Sequence, residues 1–144
     1  MLSTTAQYAL RAMVYIAGQP VEKPVLAKEI SAKTGVPLHY LSRILRDAVR
    51  GGLLESARGV GGGFRLSRPK NKIKLLEVLS PFDDVLDRSK CPFGQPRCND
   101  STPCGFHEYW KPIKVAYSEM LEQTTLDDVR LDGLGGPKKR LSGA

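Results

Sequence analysis

Residues 26–54, LAKEISAKTGVPLHYLSRILRDAVRGGLL, decide the fold. Leu26 and Ile30 recur at helical spacing, Ser31, Gly35 and Val36 interrupt the pattern, and Leu41, Ile44 and Leu45 restart it, which is the layout of a helix-turn-helix. Ser31 is small enough for the two helices to cross closely. Gly35 supplies the positive φ of a tight turn, and Val36, Leu41 and Ile44 fill the crossing. Such a match also occurs in unrelated helical pairs, so its weight comes from its neighbours.

Downstream, residues 53–67, LLESARGVGGGFRLS, read as two short strands, about Leu54 to Arg58 and Phe64 to Ser67, joined by a glycine-rich turn. This is the shape of a wing. Residues 58–74 hold six basic side chains (Arg58, Arg65, Arg68, Lys70, Lys72, Lys74) and no acid, as expected of a hairpin lying along phosphates. Gly61, Gly62 and Gly63 also suggest a nucleotide cradle, but no GK[ST] sequence or crossover helix accompanies them. Upstream, Thr4 and Gln7 have capping-box spacing, and a helix from about Thr5 to Ala17 is expected, with Tyr8 or Ala9, Ala12, Met13 and Ile16 on its apolar face and Gly18 and Pro20 as its stop.

The net charge of +7 is unevenly spread: residues 1–74 carry 13 Lys/Arg against 4 Asp/Glu, and residues 75–144 carry 9 against 11. A basic first half suggests a polyanion-binding head, with nucleic acid the first candidate; the plainer reading is a basic surface that keeps the protein soluble. Ala9 to Ala17 is broken by Arg11 and has neither a charged leader nor membrane-spanning length, so no signal peptide, no membrane partner and a cytoplasmic location are expected. No paired carboxylates or nucleophile–base set points to an enzyme.

Beyond the wing, a helix is expected from Ile73 to about Leu86, with Leu76, Val78 or Leu79, and Phe82 apolar and Pro81 interrupting or kinking it. Asp87 to Pro103 reads as a long loop, a length that usually serves a function. Phe106, Trp110, Ile113, Tyr117, Met120 and Thr124 then draw a seam along one helix, read as a dimerisation surface with Trp110, Ile113, Tyr117 and Met120 at its centre. The alternative is a helix packed on its own domain. Pro112 should bend the first turn or delay the helix until after Lys111. The expected organisation is mainly helical with a small β-hairpin wing: a winged helix-turn-helix head at 1–74, a linker helix, loop and long dimerisation helix at 75–131, and a disordered basic tail at 132–144.

All three cysteines lie in the loop, in the spacing C-x6-C-x5-C (Cys91, Cys98, Cys104), with His107 three residues on. An odd number of clustered thiols suits a metal or redox site better than a disulfide framework. Thiolates are the ordinary ligands of iron–sulfur clusters. If Thr102 caps a helix and Pro103 opens it, Cys104 sits at the positive end of its dipole and His107 on the same face. Zinc is the rival, since three thiolates and an imidazole also make a tetrahedral site, although only Cys104 to His107 has the short gap typical of zinc modules.

Taken in order, YALRAM, YLSRIL, SARGVGGGFRLS, CPFGQPRCNDSTPC and LEQTTLDDV resemble the Rrf-two family of winged-helix transcriptional regulators, of the iron–sulfur type represented by IscR-like and NsrR-like members, over about residues 1–130. The resemblance implies a homodimer that binds double-stranded operator DNA. It places Leu38, His39, Tyr40, Ser42 and Arg43 at the major groove, and Arg58 and Gly59 at the minor groove, where a narrow A·T tract concentrates negative potential. Arg65 and Lys70 fall along the phosphates. IscR-like members carry an acid where this chain has Ser42, so base preference is left open. The resemblance also implies a cluster on Cys91, Cys98 and Cys104. Residues 1–21 contain no Asp, Glu, His or Cys, and Gln7 stands where NsrR-like members have an aspartate ligand. His107 is therefore the candidate fourth ligand, and a 2Fe-2S cluster is favoured over 4Fe-4S. The functional reading is a cluster-controlled regulator; its alternatives are a zinc-stabilised or cluster-free DNA-binding protein and an iron–sulfur electron-transfer protein.

Overall fold

The computed structural model describes residues 2–83, 91 and 93–131. Its elements are α1 (Thr4–Ala17), α2 (Ala27–Thr34), α3 (Leu38–Arg50), β1 (Leu54–Ala57), β2 (Gly63–Leu66), a single 3-10 turn at Lys70–Lys72, α4 (Leu75–Leu79) and α5 (His107–Gln123). The result is mainly helical with one antiparallel hairpin, paired from Leu54 opposite Leu66 to Ala57 opposite Gly63. No helix among the described residues is long and apolar enough to cross a membrane.

The cap of α1 lies one residue upstream of the expected Thr4. Ser3 Oγ accepts from the Ala6 N–H at 3.1 Å, and the Gln7 amide donates to the Leu2 carbonyl at 3.0 Å rather than closing a box with Thr4. That start buries Ala6, Ala9, Ala12, Met13 and Ile16 against the helix pair. Between α2 and α3, Gly35 has φ +73 and ends α2 in the left-handed cap, while Ser31 Oγ donates to the Val36 carbonyl at 2.6 Å. Ser31 thus does more than yield room: it ties the turn. Leu26, read as an apolar position of α2, is its exposed N-cap, and Val25 is the buried residue there.

Val25 is buried because its backbone joins the wing. Its N–H donates to the Phe64 carbonyl and its carbonyl accepts from the Phe64 N–H, both at 2.8 Å. Gly63, at φ +138, makes the approach possible, since a Cβ there would lie 2.5 Å from the Val25 carbonyl oxygen. β1 stops one residue short of the expected Arg58, which enters the turn, and β2 keeps its expected length but sits one residue upstream. Ser67 closes the far end instead, its N–H bonded to the Leu53 carbonyl and its hydroxyl to that of Gly52.

α4 ends at Leu79, well short of the expected Leu86, which itself lies outside the described residues. Pro81 lacks an N–H and crowds the preceding turn, so the helix stops before it. α5, by contrast, starts at His107 and runs through Pro112. The expected delay does not occur. The one N–H that Pro112 removes would have bonded to the carbonyl of Glu108 in the exposed first turn.

The chain after α5 returns to the head. Thr124 O accepts from the Leu75 N–H at 2.9 Å and the Leu126 N–H donates to Ile73 O at 3.0 Å. Leu121 and Leu126 are buried in the same apolar cluster as Ile73, Val78 and Leu79. The residues LEQTTLDDV are therefore a strap that locks α5 to α4. The expected tail at 132–144 lies outside the described residues.

Candidate DNA face and cysteine site

Two surfaces hold the residues singled out above. On α3, burial of Leu41, Ile44, Leu45 and Ala48 turns the other face outward, so Leu38, His39, Tyr40, Ser42 and Arg43 are all exposed. Ser42 Oγ donates back to Leu38 O at 2.9 Å. Tyr40 is partly engaged within the fold: its ring lies 5.9 Å from that of Tyr8 and 4.3 Å from that of His39. Arg46 and Arg50 are exposed on the same helix. They are not among the residues that the sequence singled out, although steps of three and four from Arg43 put them on its face.

In the wing, Arg58 and Gly59 are exposed beside Val60, which stands fully in solvent. Arg58 forms no ion pair among the described residues. Arg65 pairs with Glu55, its cross-strand partner in the register, at 3.1 Å, and Lys70 pairs with Asp127 at 3.2 Å. Arg68 donates to Glu77 at 2.8 Å. Burial pushes the Glu77 carboxyl up, but bonds from the Lys74 N–H and the Arg68 guanidinium outweigh it and hold Glu77 below the ordinary value. These surface pairs are weak enough to exchange for phosphate.

The cysteine loop comes together in two pairs. Cys91 Sγ lies 3.8 Å from Cys104 Sγ, and Cys98 Sγ lies 3.9 Å from His107 Nδ1. Cys104 does not head a helix: Thr102 donates its N–H and hydroxyl to Asn99 Oδ1, and the N-cap of α5 is Phe106. The side chains of Cys104 and His107 therefore meet different partners. Among the described residues, no three His, Cys, Asp or Glu groups gather as they would around one metal ion. The Gln95 N–H, helped by those of Phe93 and Gly94 and by the Cys104 thiol, holds the Cys91 thiol below its ordinary value against the opposing effect of burial.

In the same stretch of chain, the Phe93 ring stacks on Phe106 at 4.4 Å and meets the edge of Trp110 at 6.3 Å. Trp110 Nε1 is buried with no hydrogen-bond partner among the described residues. On the other side, His107 Nε2 lies 2.9 Å from Asp100 Oδ1, which also accepts from Lys111 Nζ at 2.7 Å. Lys111 first, and His107 after it, hold the Asp100 carboxyl below its ordinary value. Asp100 was not singled out from sequence, because a loop acid carries no periodic signal.

Of the seam read on α5, Ile113, Met120 and Phe106 are exposed, whereas Trp110 and Tyr117 are half-buried and Tyr117 packs on the core of its own chain. Tyr109 joins the exposed side. The open apolar stripe is thus Phe106, Tyr109, Ile113, Ala116 and Met120, displaced by part of a turn from the sequence reading.

Comparison with known proteins agrees with this architecture. The profile of the Rrf2 family, described as an iron-dependent transcriptional regulator, matches residues 2–131. The HTH-type transcriptional regulator IscR of Vibrio parahaemolyticus serotype O3:K6 (strain RIMD 2210633) is 31% identical over 131 residues, covering 91% of this chain and 77% of its own. Among solved structures, CymR (YrzC), the global cysteine regulator of B. subtilis, superposes with a TM-score of 0.75 at 26% identity, over 89% of this chain and 94% of that one. T. potens IscR gives 0.71 at 26% identity, over 89% and 84%. These relatives are transcriptional regulators and not enzymes. With helix pair, wing and returning strap all matched, the chain belongs to the Rrf2 family of DNA-binding winged helix-turn-helix transcriptional regulators.

Proposed function

We propose that this chain is a homodimeric regulator whose grip on a double-stranded DNA operator is controlled by an iron–sulfur cluster held by Cys91, Cys98, Cys104 and His107, of the 2Fe-2S rather than the 4Fe-4S type. The observation that carries the reading is the pairing of Cys91 with Cys104 and of Cys98 with His107. Tetrahedral metal–sulfur bonds of about 2.3 Å set two sulfurs about 3.8 Å apart. Cys91 and Cys104 have that spacing. Cys91, Cys98, Cys104 and His107 would hold an iron–sulfur cluster as two separate donor pairs, whereas zinc would need all four donors around one point. The N–H groups around Cys91 suit a site that carries negative charge on sulfur. The iron dependence in the family's description and the IscR names of the relatives point the same way.

When bound, the cluster supplies a group that is gained, lost or oxidised with the cell's iron and redox state. The chain's own part is to hold that group at the start of α5, whose far end is strapped to the head. Ser3, at the start of α1, donates its N–H to Asp83 and its hydroxyl to the Phe82 carbonyl, in the segment that follows α4. Pro81 and Phe82 line a cavity of about 270 Å³ with Tyr40 and Arg43 of α3. In the complex, Leu38, His39, Tyr40, Ser42 and Arg43 face the major groove, with Arg46 and Arg50 beside them. Arg58 and Gly59 reach the minor groove, and Arg65 and Lys70 exchange their carboxylates for phosphates. The head at 1–74 is joined to its twin by the arm at 75–131, through the open stripe of α5 bearing Tyr109, Ile113, Ala116 and Met120, with the half-buried Trp110 and Tyr117 of the expected seam at its inner edge, a two-fold arrangement suited to two half-sites.

Anaerobic purification with iron, sulfide and zinc analysis and a visible spectrum, for wild type and His107→Ala, tests this. Coloured protein with equal iron and sulfide, and an altered spectrum in the variant, is expected. Colourless protein with one zinc per chain would move the reading to a zinc-stabilised DNA-binding regulator.

A further inference from the structure

Both ring nitrogens of His107 are engaged, and the two partners differ in kind. The side chain is buried, with Nδ1 facing Cys98 Sγ at 3.9 Å and Nε2 facing Asp100 Oδ1 at 2.9 Å. Asp100 is positioned from two directions. Asn99 Oδ1 accepts from the N–H groups of Ser101 and Thr102 and from the Thr102 hydroxyl, which fixes the chain on either side of Asp100. Lys111, one turn beyond His107 on α5, donates to the same carboxylate oxygen at 2.7 Å. Both groups that grip Asp100 thus stand on one face of a single helix.

A carboxylate accepts hydrogen bonds and donates none, so its contact with Nε2 requires the hydrogen there. Neutral imidazole then has its lone pair on Nδ1, on the side of Cys98. We propose that Asp100, steadied by Lys111, is a positioning residue that sets His107 in the Nε2–H tautomer, so that this histidine ligates the cluster through Nδ1. The inference rests on the cluster reading above and adds the ligating atom and the residue that selects it. Asp100 and Lys111 are largely exposed, with side-chain exposures of 71% and 51%, so their effect is one of geometry and tautomer more than of charge. Ligating histidines generally have the second nitrogen bonded in this way, and loss of the partner typically costs ten- to a hundredfold in metal affinity.

The chain has two histidines, His39 and His107, and His39 lies on the recognition helix, so isotope labelling of the ring is readable at one position. Wild-type protein from cells fed histidine carrying ¹⁵N at either the δ1 or the ε2 position is purified anaerobically and assayed for iron and sulfide. It is then reduced with dithionite and its nitrogen hyperfine couplings are measured. Strong coupling from the δ1 label and weak coupling from the ε2 label are expected. Strong coupling from the ε2 label overturns the assignment.

Asp100→Ala should mix the two couplings and speed cluster loss about tenfold. Asp100→Asn, which keeps an acceptor oxygen, should restore most of the wild-type signal and serves if the alanine variant does not fold. Couplings and loss rates in Asp100→Ala equal to wild type overturn the positioning role while leaving the cluster in place. Wild-type protein without iron and sulfide overturns the cluster reading itself, and does so before any label is read.

Discussion

Gly63→Ala tests the wing's attachment to the head. Gly63 has φ +138, and a Cβ there would meet Val25 O at 2.5 Å, Val25 C at 2.6 Å and Leu26 N at 3.0 Å. All three are backbone atoms, so no side chain can swing aside. Alanine must give up the Val25–Phe64 bridge, because its Cβ cannot share that space, and it must also take a φ that side chains rarely adopt. Losing two hydrogen bonds costs roughly 1 kcal/mol each, and the backbone strain adds about 1–3 kcal/mol. At about 3 °C per kcal/mol for a chain of this size, the melting temperature should fall by roughly 10–15 °C. Gly61 is the control: its φ is +77, but an added Cβ has nothing within 4 Å. Gly61→Ala should lose only the left-handed penalty of about 1–2 kcal/mol, or roughly 3–6 °C. Calorimetry of both variants, with amide exchange at Val25 and Phe64, measures the difference. Equal shifts, or a Gly63→Ala protein melting within about 3 °C of wild type, would refute the steric argument.

Arg58→Ala should weaken operator binding about tenfold, and Lys70→Ala should weaken binding to all DNA while making the salt dependence shallower by about one unit of slope; a fluorescence-anisotropy salt titration checks both, and unchanged curves remove these side chains from the interface. Ile113→Asp with Met120→Asp places two charges on the exposed stripe of α5 and should give monomers by sedimentation, with loss of operator affinity; an intact dimer would place the interface elsewhere. Glu77 is held below its ordinary value by the Lys74 N–H and Arg68 against the effect of burial. Its stabilising contribution is therefore full above the unfolded-state value of about 4.3 and fades as pH falls through the lower folded value. Glu77→Gln should lower stability at neutral pH and flatten the acid limb of a denaturation series, and an unchanged limb would show that the Arg68 contact is immaterial.

Helix periodicity, Gly35 and the wing's glycines were legible because each reports a local requirement: one face apolar every three to four residues, or one backbone torsion of positive sign. The four ligand candidates were legible too, as residue types at close spacing. Boundaries were less so. The α1 cap moved from Thr4 to Ser3 because neighbouring hydroxyls compete for the same N–H groups, and α4 lost its second half to Pro81. The strap was visible as a motif, but its purpose was not, since its bonds to Ile73 and Leu75 span about fifty residues.

What the sequence determined by itself is therefore the fold class, the basic head and the set of donors, all of which depend on residue type and local spacing. Tertiary structure alone decided how those donors pair, because Cys91 meets Cys104 and Cys98 meets His107 only after the loop closes on α5. It also decided that Asp100 stands behind His107 and that the apolar stripe on α5 is displaced from the expected seam. Which side of a helix is free depends on what the core has already covered. Here Ser118, Leu121 and Tyr117 were drawn inward against Ile73 and Leu126, and the open face is the remainder.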